Sequence, residues 1–431
     1  MSVPIIATQT CLINVVKMSS HDNISVDGQR LWQSLMDMAT IGALPGGGCC
    51  RLALTDDDKQ GRDLFVSWCE EAGCNISVDE MGNIFACRSG IDNSLPPVVT
   101  GSHLDTQPHG GKFDGVYGVL AGLEVIRALN DADIETNSPI EVVVWTNEEG
   151  SRFSPAMLAS GVYAGLFELE YAQGRQDADG KTVADELNRI GYAGSKPCRG
   201  REFDSIFEAH IEQGPILERN DNVIGVVTGG QGQRWYDITV TGQDSHSGST
   251  PMLGRKDALV GSSAMTLMAE KIAHDNPPQA VITVGSLAVH PNSRNTIPGR
   301  VGFTIDMRHP DDETLTTMGK SLRTEFKQIA NNKELEIEID EIWHNPPVVF
   351  DTECVNAVRD SAEMLDYRHQ DIVSGAGHDA CQTARVVPTA MVFIPCEGGL
   401  SHNEAENATL QDLEAGCNVL MHAMLKRAIR E

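Results

Sequence analysis

The stretches Gly101-Ser102-His103-Leu104-Asp105 and Gly111-Lys112-Phe113-Asp114-Gly115 are followed further along the chain by Asn147-Glu148-Glu149-Gly150. Imidazole nitrogen and carboxylate oxygen are the ligands that divalent zinc takes at open catalytic sites. Two buried carboxylates as close as Glu148 and Glu149 repel each other, and a shared metal is the natural reason for them to occupy one cavity. A solvated acidic turn is the competing interpretation. Together the three stretches indicate a metal-dependent hydrolase.

The histidines and acids follow predicted strands. Short apolar runs predict strands over residues 97–102, 140–145 and 207–211, and the apolar spacing after Gly115 predicts a helix. Open α/β sheets bind ligands just beyond the carboxyl ends of their strands. The sequence therefore predicts an α/β fold whose sheet edge gathers His103, the acids and His210.

The pattern changes near residue 228. From there to residue 343 the predicted order is β-α-β-β-α-β, which is typical of a ferredoxin-like sandwich. Its strands are predicted at 234–241, 280–288, 300–307 and 335–343, and its helices at 257–273 and 312–329. We interpret residues 228–343 as a domain inserted into an α/β catalytic domain formed by residues 18–227 and 344–431.

Composition excludes several classes of function. The chain has 431 residues and a formal net charge of −28, which argues against a nucleic acid partner because phosphate binding needs clustered Lys and Arg. No apolar run is long enough to span a membrane. Eleven cysteines, an odd count, and the lack of a basic segment at the start favour reduced thiols in the cytoplasm. We expect the first seventeen residues to add nothing to the fold.

The residues themselves suggest one metal site and one base. The proposed ligands are His103, Asp114, Glu149, His210 and His402. Glu148 would take a proton from metal-bound water. Asp105 would orient the His103 imidazole from the side away from the metal.

For four further residues the sequence gives weaker evidence of a functional role. His246, in a polar loop, has the chemistry to donate to an oxyanion, although an exposed loop histidine is the simpler interpretation. Arg308 can hold a carboxylate with two hydrogen bonds, and Asn295 lies near it in the predicted hairpin; many such arginines merely cover the surface. His378 stands beside an acid in a glycine-rich turn.

Across these segments the chain resembles the two-metal amidohydrolases related to aminoacylases and di-zinc carboxypeptidases. Within them it is most similar to the N-carbamoyl amino acid hydrolases, and especially to the β-ureidopropionases. The resemblance rests on TGSHLDTQPHGGKFDG, TNEEGSRF, HIEQGPILE, HSGSTPM, RNTIPG, IDMRHP, SGAGHDACQTA and GLSHNEAE. It implies a di-metal aminopeptidase-like catalytic domain with an inserted lid that also forms a homodimer interface.

The resemblance also implies how the metals are shared. His103 and His210 would hold one ion, Glu149 and His402 the other, and Asp114 would bridge them. Zinc is the expected metal, with manganese, cobalt or nickel as alternatives.

The remaining roles implied by the resemblance concern a small anionic ureido substrate. Glu148 would be the general base, and His246 would reach the active site of a neighbouring subunit. Substrate contacts would come from Gln213, Asn295, Arg308 and His378. The expected reaction is hydrolysis of N-carbamoyl-β-alanine to amino acid, ammonia and carbon dioxide. Alternatives are N-carbamoyl-L-α-amino acids, allantoate, or ureide binding without catalysis.

Overall fold

The computed structural model describes residues 23–430, so the predictions for the first seventeen residues lie outside the described part. The helices in this range are α1 (Gly28–Met38), α2 (Asp56–Glu71), α3 (Val116–Asp131), α4 (Leu158–Tyr163), α5 (Leu169–Gln173), α6 (Val183–Ile190), α7 (Ile216–Arg219), α8 (Ala258–His274), α9 (Asp312–Asn332), α10 (Thr352–Met364), α11 (Asp379–Thr383) and α12 (Leu410–Ala428).

The strands of the same range form three sheets. They are β1 (Asn75–Val78), β2 (Ile84–Arg88), β3 (Val98–His103), β4 (Ile140–Trp145), β5 (Ser205–Ile211), β6 (Ile224–Gly230), β7 (Gly232–Thr241), β8 (Ser245–His246), β9 (Val281–Thr283), β10 (Leu287–His290), β11 (Thr296–Ile297), β12 (Arg300–His309), β13 (Glu336–Asn345), β14 (Val348–Val349), β15 (His369–Ser374) and β16 (Thr389–Ile394).

The largest sheet has nine strands in the order β1-β2-β4-β3-β5-β16-β6-β14, with β15 also paired to β6. The central strands β4, β3, β5 and β16 run parallel to one another. Every residue of these four strands is buried, as expected for parallel strands covered on both faces. The α/β prediction is therefore confirmed, and β3 and β5 end at the predicted edge with His103 and His210.

Helix α3 connects β3 to β4 and packs on this sheet together with α12. Most of its residues are buried, because the helix is apolar on nearly all sides. Three strands of the large sheet, β6, β14 and β15, were not predicted from the sequence.

The second sheet has five strands in the order β10-β12-β7-β13, with β9 also paired to β12. Alternate residues of β12 are buried against α8 and α9, in a hydrophobic core separate from that of the large sheet. The single strand predicted over 280–288 is wrong. The chain breaks there at Val284-Gly285-Ser286, so two short strands, β9 and β10, pair with different parts of β12.

We refer to the five-stranded sheet with α8 and α9 as the lid, following the predicted inserted domain. Strand β6 extends to Gly230 within the large sheet, beyond the predicted boundary at residue 228. The domain limits themselves stay a prediction. Within residues 23–430 no helix has both the length and the apolar character needed to cross a bilayer. The ten cysteines of the described range are all unpaired.

A buried ion pair ties α2 to the end of β4. The Arg62 guanidinium donates to the Asp58 carboxylate at 2.8 Å, to the Gly82 carbonyl at 2.8 Å and to the Thr146 hydroxyl at 3.2 Å. Arg62 and Asp58 are both fully buried. Thr146 immediately precedes the acidic turn, Asn147-Glu148-Glu149-Gly150. The Arg62–Asp58 ion pair therefore fixes the start of this turn.

We expect Arg62→Met to lower the free energy of unfolding by about 3–5 kcal/mol, because it leaves the Asp58 charge buried without its partner. Chemical denaturation followed by circular dichroism measures the change. The double variant Asp58→Asn/Arg62→Met should recover part of the loss. If the double variant were less stable than Arg62→Met, the buried charge would not be the cause.

Candidate metal centre and active site

Asp114 lies at the centre of the predicted ligands and presents one oxygen to each half of them. Its Oδ1 is 3.1 Å from His210 Nε2 and 3.7 Å from His103 Nε2. Its Oδ2 is 3.3 Å from His402 Nε2, which lies 3.4 Å from Glu149 Oε2. All five side chains predicted as ligands therefore meet, with the carboxylate of Asp114 between two groups of donors.

The two inner histidines are oriented by main-chain carbonyls. Nδ1 of His103 lies 2.8 Å from the carbonyl oxygen of Asp105, and Nδ1 of His210 lies 2.8 Å from that of Ile211. A proton on each Nδ1 leaves the Nε2 lone pairs facing Asp114, as metal ligation requires. The contact of Asp105 with His103 is made by the Asp105 carbonyl rather than by its carboxylate, and the predicted role of Asp105 stays a prediction.

The Asp105 carboxylate instead supports the acidic turn. It accepts hydrogen bonds from the backbone amides of Glu148, at 3.3 Å, and Glu149, at 3.2 Å. Asn147 has a φ of 59°, a left-handed conformation that bends the chain where β4 ends. Both glutamates consequently face one cavity, and Glu148 Oε2 lies 3.6 Å from His103 Nε2.

Glycine is required next to Asp114. Gly115 has a φ of +68°, and a Cβ atom on it would lie 2.3 Å from the His103 ring. The backbone amide of Gly115 also donates to His210 Nε2 at 3.1 Å. Only glycine permits this backbone to pass so close to the imidazole.

The electrostatics of the site are those of carboxylates forced together away from water. Burial, followed by the charges of Asp379 and Glu149, raises the pKa of Glu148 well above its usual value. Burial and the charge of Asp114 raise the pKa of Glu149 in the same direction. Burial opposes ionisation of Asp114 too, but its contacts with the His210 and His402 imidazoles hold its pKa well below the usual value.

The histidines respond in opposite ways. Burial lowers the pKa of His103 to about 4. Burial also acts to lower the pKa of His210, but its contact with the Asp114 carboxylate prevails and raises that pKa to about 9. Positive charge is therefore stabilised beside Asp114. A set of imidazole nitrogens and carboxylate oxygens with this electrostatic character fits divalent cations.

A cavity of about 350 Å³ adjoins these residues and lies between the large sheet and the lid. Three of the predicted substrate contacts, Gln213, Arg308 and His378, line it. Gln213 donates to Asp114 Oδ2 at 2.9 Å. The Arg308 guanidinium pairs with Asp306 at 2.7 Å and donates to the carbonyl of Gly375 at 2.8 Å, so it links the lid to the loop that follows β15 of the large sheet.

His246 and Asn295 do not line this cavity. His246 lies in β8, which pairs with β11, and the adjacent Asn295 accepts a hydrogen bond from the Ser247 amide through its carbonyl at 3.0 Å. Both side chains are exposed. Within one chain, the structure therefore separates these two residues from the other predicted site residues.

The sequence pattern of the peptidase family M20/M25/M40 matches residues 99–426. The chain belongs to this family. Its similarity to the amidohydrolases described below places it in the amidohydrolase branch, in agreement with the resemblance noted from the sequence motifs.

An N-carbamoyl-L-amino-acid amidohydrolase from Rhizobium meliloti is 51% identical over 407 residues, covering 94% of this chain and 98% of the relative. An amidase of the hydantoinase/carbamoylase family from Burkholderia multivorans has a solved structure with a TM-score of 0.93 and 61% identity, covering 94% of this chain and 99% of that one. An allantoate amidohydrolase from Bacillus subtilis is 32% identical, covering 91% of this chain and 95% of the relative.

Sequence reasoning missed several residues that hold this M20-family site together. Ser401 donates to Asp114 Oδ2 at 3.0 Å or to Glu406 at 2.9 Å, and the Glu406 carboxylate accepts from the amides of Phe113 and Asp114. Gln107 donates to Glu149 at 2.7 Å. Ser401 and Glu406 flank His402 in the glycine-rich segment, and that proximity was the available signal.

We expect Gly115→Ala to weaken divalent cation binding by at least about 10–100-fold, the range found when groups that orient metal ligands are lost. The added methyl group displaces the His103 ring. Equilibrium dialysis with metal analysis measures the affinity. Gly165→Ala is the matched control, because Gly165 has a similar φ of +77° but open space where its Cβ would lie. Equal affinity in both variants would contradict the prediction.

Proposed function

We propose that the chain hydrolyses the ureido C–N bond of N-carbamoyl α-amino acids. The observation that supports this proposal is the position of the Asp114 carboxylate. It lies between two groups of imidazole and carboxylate side chains that suit metal ions, and Glu148 lies beside them in a cavity. The named relatives favour the L-α-amino acid alternative over N-carbamoyl-β-alanine, the substrate first expected from the sequence. Allantoate is the second candidate, favoured by the relative from Bacillus subtilis.

Two divalent cations fit the donor set. His103 and His210 would hold one, Glu149 and His402 the other, and Asp114 would contact both. Such ions supply polarisation of the ureido carbonyl and a lower pKa for the attacking water. Zinc suits the ligands, and manganese, cobalt and nickel remain alternatives.

Glu148 is the residue that transfers the proton from water to the leaving nitrogen. Its carboxylate takes a proton from water as the oxygen attacks the ureido carbon, and then gives that proton to the departing nitrogen of the amino acid. The carbamic acid left behind separates into carbon dioxide and ammonia. Gln213 and His378, which line the cavity beside the ligands, would position the carbamoyl end. Arg308 would leave Asp306 to hold the substrate carboxylate.

His246 would complete the active site of a second copy of the chain. Its Nδ1 accepts hydrogen bonds from the amides of Gly248 and Ser249 at 3.0 and 3.1 Å. The ring proton is therefore on Nε2, which makes that nitrogen a donor suited to an oxyanion. Because His246 and Asn295 lie apart from their own cavity, we propose a homodimer in which both act on the partner. The unpaired cysteines agree with a cytoplasmic location.

We expect Glu148→Gln to reduce kcat by about 10²–10⁴-fold, the usual contribution of a general base, while divalent cations still bind. Ammonia release is measured with N-carbamoyl-L-amino acids, N-carbamoyl-β-alanine, allantoate and N-acetyl amino acids after loading with each metal. Hydrolysis of allantoate alone would select the second candidate. If the wild-type protein bound ureides without hydrolysing them, the result would exclude catalysis and favour ureide binding alone.

A mixing experiment tests the role of His246. Glu148→Gln and His246→Ala are each expected to be nearly inactive alone. If His246 acts across the dimer, each mixed dimer contains one complete site, so random mixing of equal amounts should restore about a quarter of the wild-type activity. Mixing after mild dissociation and reassociation, followed by the same ammonia assay, gives the answer. No restoration, in the presence of proven subunit exchange, would rule out action across the interface.

A further inference from the structure

Two tryptophans of the lid form an aromatic wall in the cavity. The rings of Trp235 and Trp343 lie with their centroids 6.1 Å apart and their planes inclined by 36°. Their exposed fractions are 40% and 43%, and both line the cavity that holds the metal-type donors. Large aromatic side chains left open to a cavity are typical of surfaces that bind ligand.

The strand register places this wall beside the proposed carboxylate clamp. Arg308 and Asn345 are paired with Gln233, which gives one polar row across three strands. Asp306 and Trp343 are paired with Trp235 in the next row on the same face. Rows two residues apart are separated by about 7 Å along a strand, which is within reach of the side chain of an amino acid whose carboxylate is held by Arg308.

A β-bulge aims Trp343 at the cavity. The pairing of β13 with β7 shifts between Glu341 and Trp343, so that Glu341 pairs with Tyr236 and Trp343 pairs with Trp235. Tyr236 is buried toward the helices of the lid, whereas Trp235 faces the cavity. In a regular strand residues 341 and 343 share one face, and the extra residue Ile342 is what transfers Trp343 to the other face.

Three apolar side chains from the part of the chain around the large sheet line the same cavity: Met157, Phe167 and Val348.

We propose that Trp235 and Trp343 form the subsite for the substrate side chain. The inference rests on the proposed function and narrows its substrate class. The preferred substrates are N-carbamoyl α-amino acids with large apolar side chains, either aromatic or long aliphatic. N-carbamoylglycine and N-carbamoyl-β-alanine have no side chain to cover the tryptophans. An acidic side chain would be repelled by the Asp306 carboxylate, which lies in the same row as Trp235 and Trp343.

The test compares kcat/KM for N-carbamoyl derivatives of phenylalanine, leucine, aspartate, glycine and β-alanine. The wild-type enzyme should prefer phenylalanine and leucine over glycine by about 10–200-fold, the range expected for apolar pocket contacts. Trp343→Ala and Trp235→Ala should each reduce that ratio about tenfold, mainly through KM, and leave the glycine derivative within about twofold. Trp343→Phe should restore part of the ratio.

Leu95→Ala is the matched control, because Leu95 is 39% exposed and does not line the cavity. Thermal unfolding of each variant identifies any general loss of structure, and Trp343→Phe provides a conservative replacement should an alanine variant fail to fold. A wild-type preference for glycine or β-alanine, or an equal loss on all substrates in the tryptophan variants, would overturn the subsite. A wild-type protein that hydrolyses no carbamoyl derivative would instead refute the proposed function.

Discussion

The structure depends on keeping several buried carboxylates close together at one site. Asp114, Glu148 and Asp379 are buried, and Glu149 lies beside them on the cavity. Burial and repulsion by neighbouring carboxylates raise the pKa values of Glu148, Glu149 and Asp379, whereas neighbouring imidazoles keep Asp114 ionised. Such a cluster is costly unless positive charge enters it. The fold meets this requirement by ending its central parallel strands at one edge, where histidines from β3 and β5 face the acids that follow β4.

The backbone around this cluster is held in conformations that most side chains avoid. Asn147, Gln213 and His402 all have a left-handed φ although none is glycine. Such residues persist where surrounding contacts determine their conformation, and they concentrate at functional sites. Here the contacts are visible: the Asp105 carboxylate accepts from the amides of the acidic turn, and Gln213 donates to Asp114. The supporting hydrogen bonds explain how side chains from distant segments keep their positions around Asp114.

The parts of the fold that sequence predicted well are those set by local patterns. Strand β4 has the predicted limits, since a fully apolar run between turn residues has few alternatives, and the ligands gather because parallel strands end together. The parts that were missed depend on long-range pairing. Whether residues 280–288 form one strand or two depends on which parts of β12 they meet, and the bulge that turns Trp343 toward the cavity exists only relative to β7. Likewise, the sequence placed Asp105 behind His103 without showing which oxygen makes the contact.

The cavity is lined by two structural layers. The floor, built at the edge of the large sheet, presents metal-type donors and Glu148, groups that suit the ureido unit common to N-carbamoyl amino acids and allantoate. The lid strands present Arg308 and the two tryptophans, which line the other side of the cavity. Because the two layers belong to separate hydrophobic cores, substitutions on the lid can change the accepted side chain while the floor keeps its geometry. The existence of relatives named for N-carbamoyl-L-amino acids and for allantoate is consistent with such a division.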